Sequence, residues 1–165
     1  MREMAELDFS FTKCNDKMES VCKKEEMENT NLAVQNDTLD LKGKRLLVVD
    51  DVNTNREILC LMLEDTGAAL DQATNGEEAV RLFSQNKYDL VLMDLHMPVM
   101  NGYNASKNIR SLPLLWAVST PIISVSAESS IELHARCKEV GMNDHIAKPV
   151  EREDLLKKIA KWIPA

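Results

Sequence analysis

The chain of 165 residues fits one compact domain plus an appended segment, and its 44% hydrophobic and 28% charged residues exclude a fibrous or wholly disordered protein. Of the net charge of −7, residues 1–41 carry −5 (ten acidic, five basic side chains), leaving −2 for the rest; without a Lys/Arg cluster, direct nucleic-acid binding is excluded. Cys14, Cys22, Cys60 and Cys137 form no CxxC pair and no zinc spacing, and neither a signal region nor an 18-residue apolar run is present. The expectation is a cytoplasmic chain without membrane contact of its own, compatible with being the cytosolic part of a membrane-anchored parent.

Residues 1–42 are polar and lack a sustained period, which predicts a leader or linker with at most a short helix over Met18–Glu28. Residues 43–165 read as one domain. Leu46–Val49 is an unbroken apolar run suited to a strand buried on both faces, and Asp50 ends it. Thr54 with Glu57 suggests a capping box for a helix whose Ile58, Leu61 and Met62 face the core until Gly67 stops it.

The alternation then repeats. Ala68–Ala73 is a weaker strand, Glu77–Asn86 a helix with Ala79, Leu82 and Phe83 on one face, and Leu90–Met93 a strong strand ended by Asp94. A loop with Pro98 and Gly102 leads into a helix ending near Arg110. Trp116 falls in the loop before Pro121, followed by the strand Ile122–Val125. A helix around Ile131, Ala135 and Val140, capped by Ser129 and Glu132, a short strand His145–Ala147, and a last helix through Leu155, Ile159 and Ile163 complete five βα units.

Strands alternating with helices imply a doubly wound α/β domain: a five-stranded parallel sheet of order 2-1-3-4-5 with helices on both faces, which binds ligands outside the carboxyl ends of its strands. Asp50 and Asp51 close the first strand, Asp94 the third, Ser126 the fourth and Lys148 the fifth. Each residue alone is an ordinary strand-end or turn residue; the convergence of all five is the signal. Two carboxylates about 4 Å apart repel by roughly 4 kcal/mol at an effective dielectric near 20, so three demand a cation. All-oxygen ligation with room for water and phosphate suits Mg²⁺, with Mn²⁺ as a substitute. One carboxylate, Asp94, can then attack a phosphoryl group in line, with the Lys148 charge and the Ser126 hydroxyl on the phosphoryl oxygens.

The segments VVDDVNTNRE, VLMDLHMPVMNG, PIISVSAES and NDHIAKP, in this order and spacing, closely resemble the response-regulator receiver family (CheY-like) from Lys44 to Ile163. The resemblance implies that Asp94 accepts a phosphoryl group from a histidine kinase or histidine phosphotransfer protein. It also implies that Asp50, Asp51, Asp94 and the His96 backbone carbonyl form the metal site, that Ser126 moves on phosphorylation, and that His145 stands where the family usually has a Tyr or Phe switch. The Lys148–Pro149 bond is expected to be cis on the same ground. DVNTNRE and MDLHMPVMNG look like the receiver at the end of a hybrid sensor histidine kinase, and Phe9–Thr12 resembles the closing strand of a kinase ATP-binding domain. A phosphoacceptor of this kind is not a stand-alone turnover enzyme.

Two other readings compete. A phosphohydrolase of the haloacid dehalogenase type also combines Asp, Mg²⁺, Ser/Thr and Lys, but it carries a DxD motif where this chain has Asp50-Asp51-Val52, and no cap domain interrupts the elements. A receiver-like binding scaffold is disfavoured by the intact set of five residues. His96, His134 and His145 show no mutual ligand spacing, and Trp116, Trp162, Met93, Met97 and Met100 read as packing residues.

Overall fold

The computed structural model describes residues 39–163, so the expectations on Met18–Glu28 and Phe9–Thr12 lie outside the described residues. Five strands, β1 (Arg45–Val49), β2 (Ala69–Ala73), β3 (Leu90–Asp94), β4 (Ile122–Ser126) and β5 (Asp144–Ala147), form one parallel sheet in the order β2-β1-β3-β4-β5. The helices are α1 (Asn53–Leu63, extended by a 3₁₀ turn Glu64–Thr66), α2 (Gly76–Gln85), α3 (Gly102–Arg110), a five-residue α4 (Leu115–Ser119), α5 (Ile131–Glu139) and α6 (Arg152–Trp162).

Strand alternation divides the core in two. Leu46, Val48, Leu90, Leu92, Ile123 and Val125 face one side, where Leu59 and Leu63 of α1 and Leu155, Leu156 and Ile159 of α6 cover them. Leu47, Val49, Val91, Met93 and Ile122 face the other, under Ala79 and Phe83 of α2, Ile109 of α3 and Leu133 of α5. Leu41, assigned to the leader by sequence reading, is buried in the first of these clusters and its N–H donates to the Thr66 carbonyl (2.8 Å).

Several local expectations need correction. In α1 the core-facing residues are Leu59 and Leu63, with Arg56, whereas Ile58 and Leu61 are 43% and 68% exposed. Every residue from Ile58 to Leu63 is apolar, so the pattern carries no phase and packing chooses it. No Thr54 capping box forms: the helix starts at Asn53, the N-cap Val52 makes no side-chain cap bond, and Asn53 Nδ2 donates to Glu57 Oε1 instead. The cap of α5 is Ser130, whose Oγ accepts from the Leu133 N–H, rather than Ser129, and Ile131 lies exposed. Trp116 belongs to α4, an element too short to show a period in the sequence.

α4 and the turns around it are tied down by one side chain. Arg110 Nη1 donates to the carbonyls of Ala117 and Thr120, Nε to that of Gly141, and Nη2 to Asn143 Oδ1. The guanidinium thus satisfies carbonyls at two loops that would otherwise lack partners.

Candidate phosphoacceptor and metal site

The site sits at the carboxyl ends of β1, β3, β4 and β5, where the reversal of strand order on either side of β1 opens a crevice. Register brings its members together: Val49 of β1 pairs with Met93 of β3, Asp94 with Val125 of β4, and Ser126 with Ala147 of β5. Asp50 and Asp94 are 1% and 6% exposed, while Asp51 projects into solvent. One carboxylate oxygen from each of the three lies within 4.8 Å of the others.

Lys148, immediately after β5 and preceding a cis peptide bond to Pro149, reaches back over the sheet. Its Nζ donates to Asp50 Oδ2 at 2.7 Å and stands 3.4 Å from Asp94 Oδ2. A single ammonium against three carboxylates leaves two negative charges in a largely buried cup. This donor set, all oxygen and under-neutralised, fits a divalent cation.

Asp94 is poorly supported compared with Asp50. Burial pushes its carboxyl above the usual range; the Lys148 charge opposes this and the Asp50 charge adds to it. Lys148 is itself held above the ordinary lysine value, burial being outweighed by its bonds and proximity to Asp50 and Asp94. Among the described residues, the one backbone donor to the Asp94 carboxylate is the His96 N–H, 3.5 Å from Oδ1.

Ser126 is buried, and its hydroxyl donates to the Glu128 carbonyl (2.8 Å) within its own loop. His145 is 7% exposed and points inward: Nδ1 lies 3.1 Å from Ser124 Oγ, and Nε2 has no hydrogen-bond partner. Burial lowers its pKa, with His134 and Lys158 acting in the same direction. The exposed His134 of α5 packs edge-on against His145 with ring centroids 5.0 Å apart.

Sequence reading missed four contributors. Asn55 and Arg56, inside the NTNRE segment, both bond to Asp50. Gly102 N–H donates to the Leu95 carbonyl, and a Cβ there would overlap the Asp94 carbonyl, so only glycine lets α3 start this close to the acceptor strand. Val99 has φ of 67° and is spanned by a Met100 N–H to Pro98 carbonyl bond, a tight three-residue turn at the mouth of the site.

An open parallel sheet of order 2-1-3-4-5 with an acidic cup at its switch point defines the CheY-like class of flavodoxin folds. The comparisons give the family: the response regulator receiver domain profile matches residues 46–160, and the chain belongs to that family. It is 33% identical over 148 residues to hybrid signal transduction histidine kinase B of Dictyostelium discoideum, covering 84% of this chain and 7% of that protein. Identity to the CAI-1 autoinducer sensor kinase/phosphatase CqsS of Vibrio cholerae is 37% over 120 residues, 73% of this chain and 17% of that protein. The chain thus spans a small fraction of the length of these relatives.

Among solved structures, the receiver domain of sensor histidine kinase PA1611 from Pseudomonas aeruginosa superposes with a TM-score of 0.68 at 32% identity, covering 74% of this chain and 99% of that one. That structure has a magnesium ion coordinated in its active-site cleft. The chain is a receiver domain of two-component phosphorelay signalling, and neither the phosphohydrolase nor the scaffold reading finds support.

Proposed function

We propose that Asp94 accepts a phosphoryl group from a phosphohistidine on a histidine kinase or a histidine phosphotransfer protein. The observation that carries this reading is the convergence of Asp50, Asp51, Asp94 and Lys148 from three strands on one crevice. An Asp94 oxygen attacks phosphorus in line; the P–N bond of the donor breaks as the P–O bond forms, and the departing imidazole takes up a proton. Lys148 then exchanges Asp50 for a phosphoryl oxygen, and the Ser126 hydroxyl leaves the Glu128 carbonyl to donate to another. Asp50, Asp51, Asp94 and the His96 carbonyl would hold Mg²⁺, or Mn²⁺, which supplies charge neutralisation on the transferring group. Asp94 is a phosphoacceptor rather than the nucleophile of a stand-alone turnover enzyme.

Ser126 and His145 act as the switch pair, with His145 seated against Ser124 in the unphosphorylated state. The donor docks over the mouth of the crevice, where Val52, next to Asp51, is 47% exposed. The receiver already includes Leu41, which packs in its core, and the residues that precede it are the linker from a preceding kinase domain, all within the cytosolic part of a hybrid sensor kinase.

The test is intact-mass analysis after incubation with Mg²⁺ and acetyl phosphate. The parent chain is expected to gain one phosphoryl group only in the presence of Mg²⁺, and Asp94→Asn none. Equal gain in Asp94→Asn, or steady hydrolysis of unrelated phosphomonoesters, would overturn the assignment.

A further inference from the structure

We infer that Asn55 and Arg56 form a positioning bracket that immobilises Asp50 and thereby sets the affinity of the acidic cup for its divalent cation. The inference rests on the metal reading above and concerns residues that have no role in it. Asn55 stands in the first turn of α1, where its Nδ2 lies 3.1 Å from both Oδ1 and Oδ2 of Asp50. A donor equidistant from both oxygens resists rotation of the carboxylate about its last bond, which a bond to one oxygen alone does not. The Val52 N–H (2.9 Å, to Oδ1) and Lys148 Nζ (2.7 Å, to Oδ2) lock the remaining faces.

Arg56 fixes the backbone beneath. Its side chain is 7% exposed, and Nη1 donates to the Asp50 carbonyl at 2.7 Å. Nη2 donates to Asn53 Oδ1 (2.8 Å) and Nε to Gln72 Oε1 (3.2 Å), so the same guanidinium ties the end of β1 to the start of α1 and to β2. A buried guanidinium is retained only where its donors are used, and this one uses Nη1 on the Asp50 carbonyl and the other two to anchor that segment to α1 and β2.

Asp50 is the one member of the acidic trio held in this way among the described residues. Asp94 has only contacts of 3.4 and 3.5 Å, and Asp51 is exposed. A cation entering the cup therefore meets one fixed wall and two adjustable ones. Without the bracket, Asp50 must be ordered at the moment of binding, and its charge is less well confined against two neighbouring carboxylates. Outer partners of metal ligands are worth about 10–100-fold in affinity when removed.

The experiment titrates the full 165-residue chain with Mg²⁺ by calorimetry, comparing parent, Asn55→Ala and Arg56→Lys. Thr54→Ala, an exposed neighbour on the same turn, serves as control. Melting temperatures in EDTA are measured alongside. Asn55→Ala is expected to weaken Mg²⁺ binding about tenfold while its metal-free melting temperature stays close to the parent's, and Arg56→Lys, which keeps the charge but loses the fork, to weaken it as well. Affinities within twofold of the parent in both variants would overturn the bracket. So would a loss matched by Thr54→Ala or tracking a fall in metal-free melting temperature, since either describes a helix that has merely loosened. If the parent itself binds no Mg²⁺, the metal reading falls and this inference with it, an outcome distinct from a binding parent with indifferent variants.

Discussion

Burial works against the charged form of Asp94. Its carboxyl titrates above the unfolded value because burial outweighs the help of Lys148, so the folded chain binds this proton more tightly than the unfolded one. The sign follows: the contribution to stability is fully present below about pH 4 and is lost as pH rises through the raised folded pKa. In EDTA, Asp94→Asn is therefore expected to melt above the parent at neutral pH, with the difference vanishing near pH 3–4. A variant that melts below the parent at pH 7 would contradict the burial argument. The charged residues at this scale were legible because a polar residue ending an apolar strand is conspicuous: Asp50, Asp94, Ser126 and Lys148 each interrupt such a run. Asn55 and Arg56 were not, since an amide or guanidinium on the first turn of a helix looks like any solvated side chain until its partner's position is known. The proximity of His134 to His145, set by the packing of α5 on β5, likewise leaves no mark in the spacing of the sequence.

At the scale of elements, the junction of β3 with α3 is the most constrained. Gly102 begins α3 directly against the backbone of Asp94, and Asn101 caps it by accepting from the Asn104 N–H (2.9 Å). Adding one methyl group in Gly102→Ala forces the Asp94 carbonyl or the helix start to shift. The expected result is a destabilisation of about 1–3 kcal/mol in urea unfolding and a phosphorylation rate by acetyl phosphate lowered at least tenfold, because reacting atoms misplaced by about 1 Å lose that much or more. A variant accepting phosphate at the parental rate would show that the acceptor strand has slack. Element type was readable in advance wherever a helix had one polar side, as in α2, whose Ala79 and Phe83 are buried. It failed in phase for α1, whose second half, Ile58 to Leu63, is apolar on every side, and in existence for α4, which owes its place to Arg110 rather than to any pattern of its own.

For the whole molecule, one sheet serves two cores. Ile109 and Ile159, both fully buried, belong to opposite layers. Ile109→Val and Ile159→Val should each cost about 0.5–1.5 kcal/mol. The double variant should lose their sum to within about 0.5 kcal/mol, with urea unfolding still a single transition of unchanged slope. Separate transitions would mean that the layers unfold independently. The doubly wound class was the easiest feature to foresee, because apolar runs separated by helices with right-handed crossovers admit few arrangements, whereas the order β2-β1-β3-β4-β5 followed from the family resemblance.

The Lys148–Asp50 ion pair joins the final strand to the first. During synthesis β1, β2 and β3 leave the ribosome well before Lys148, whereas a domain folds as a unit. A nascent chain thus displays all three carboxylates while still lacking the ammonium that completes the crevice. The crevice is therefore complete only once the residue after β5 has been laid beside the end of β1.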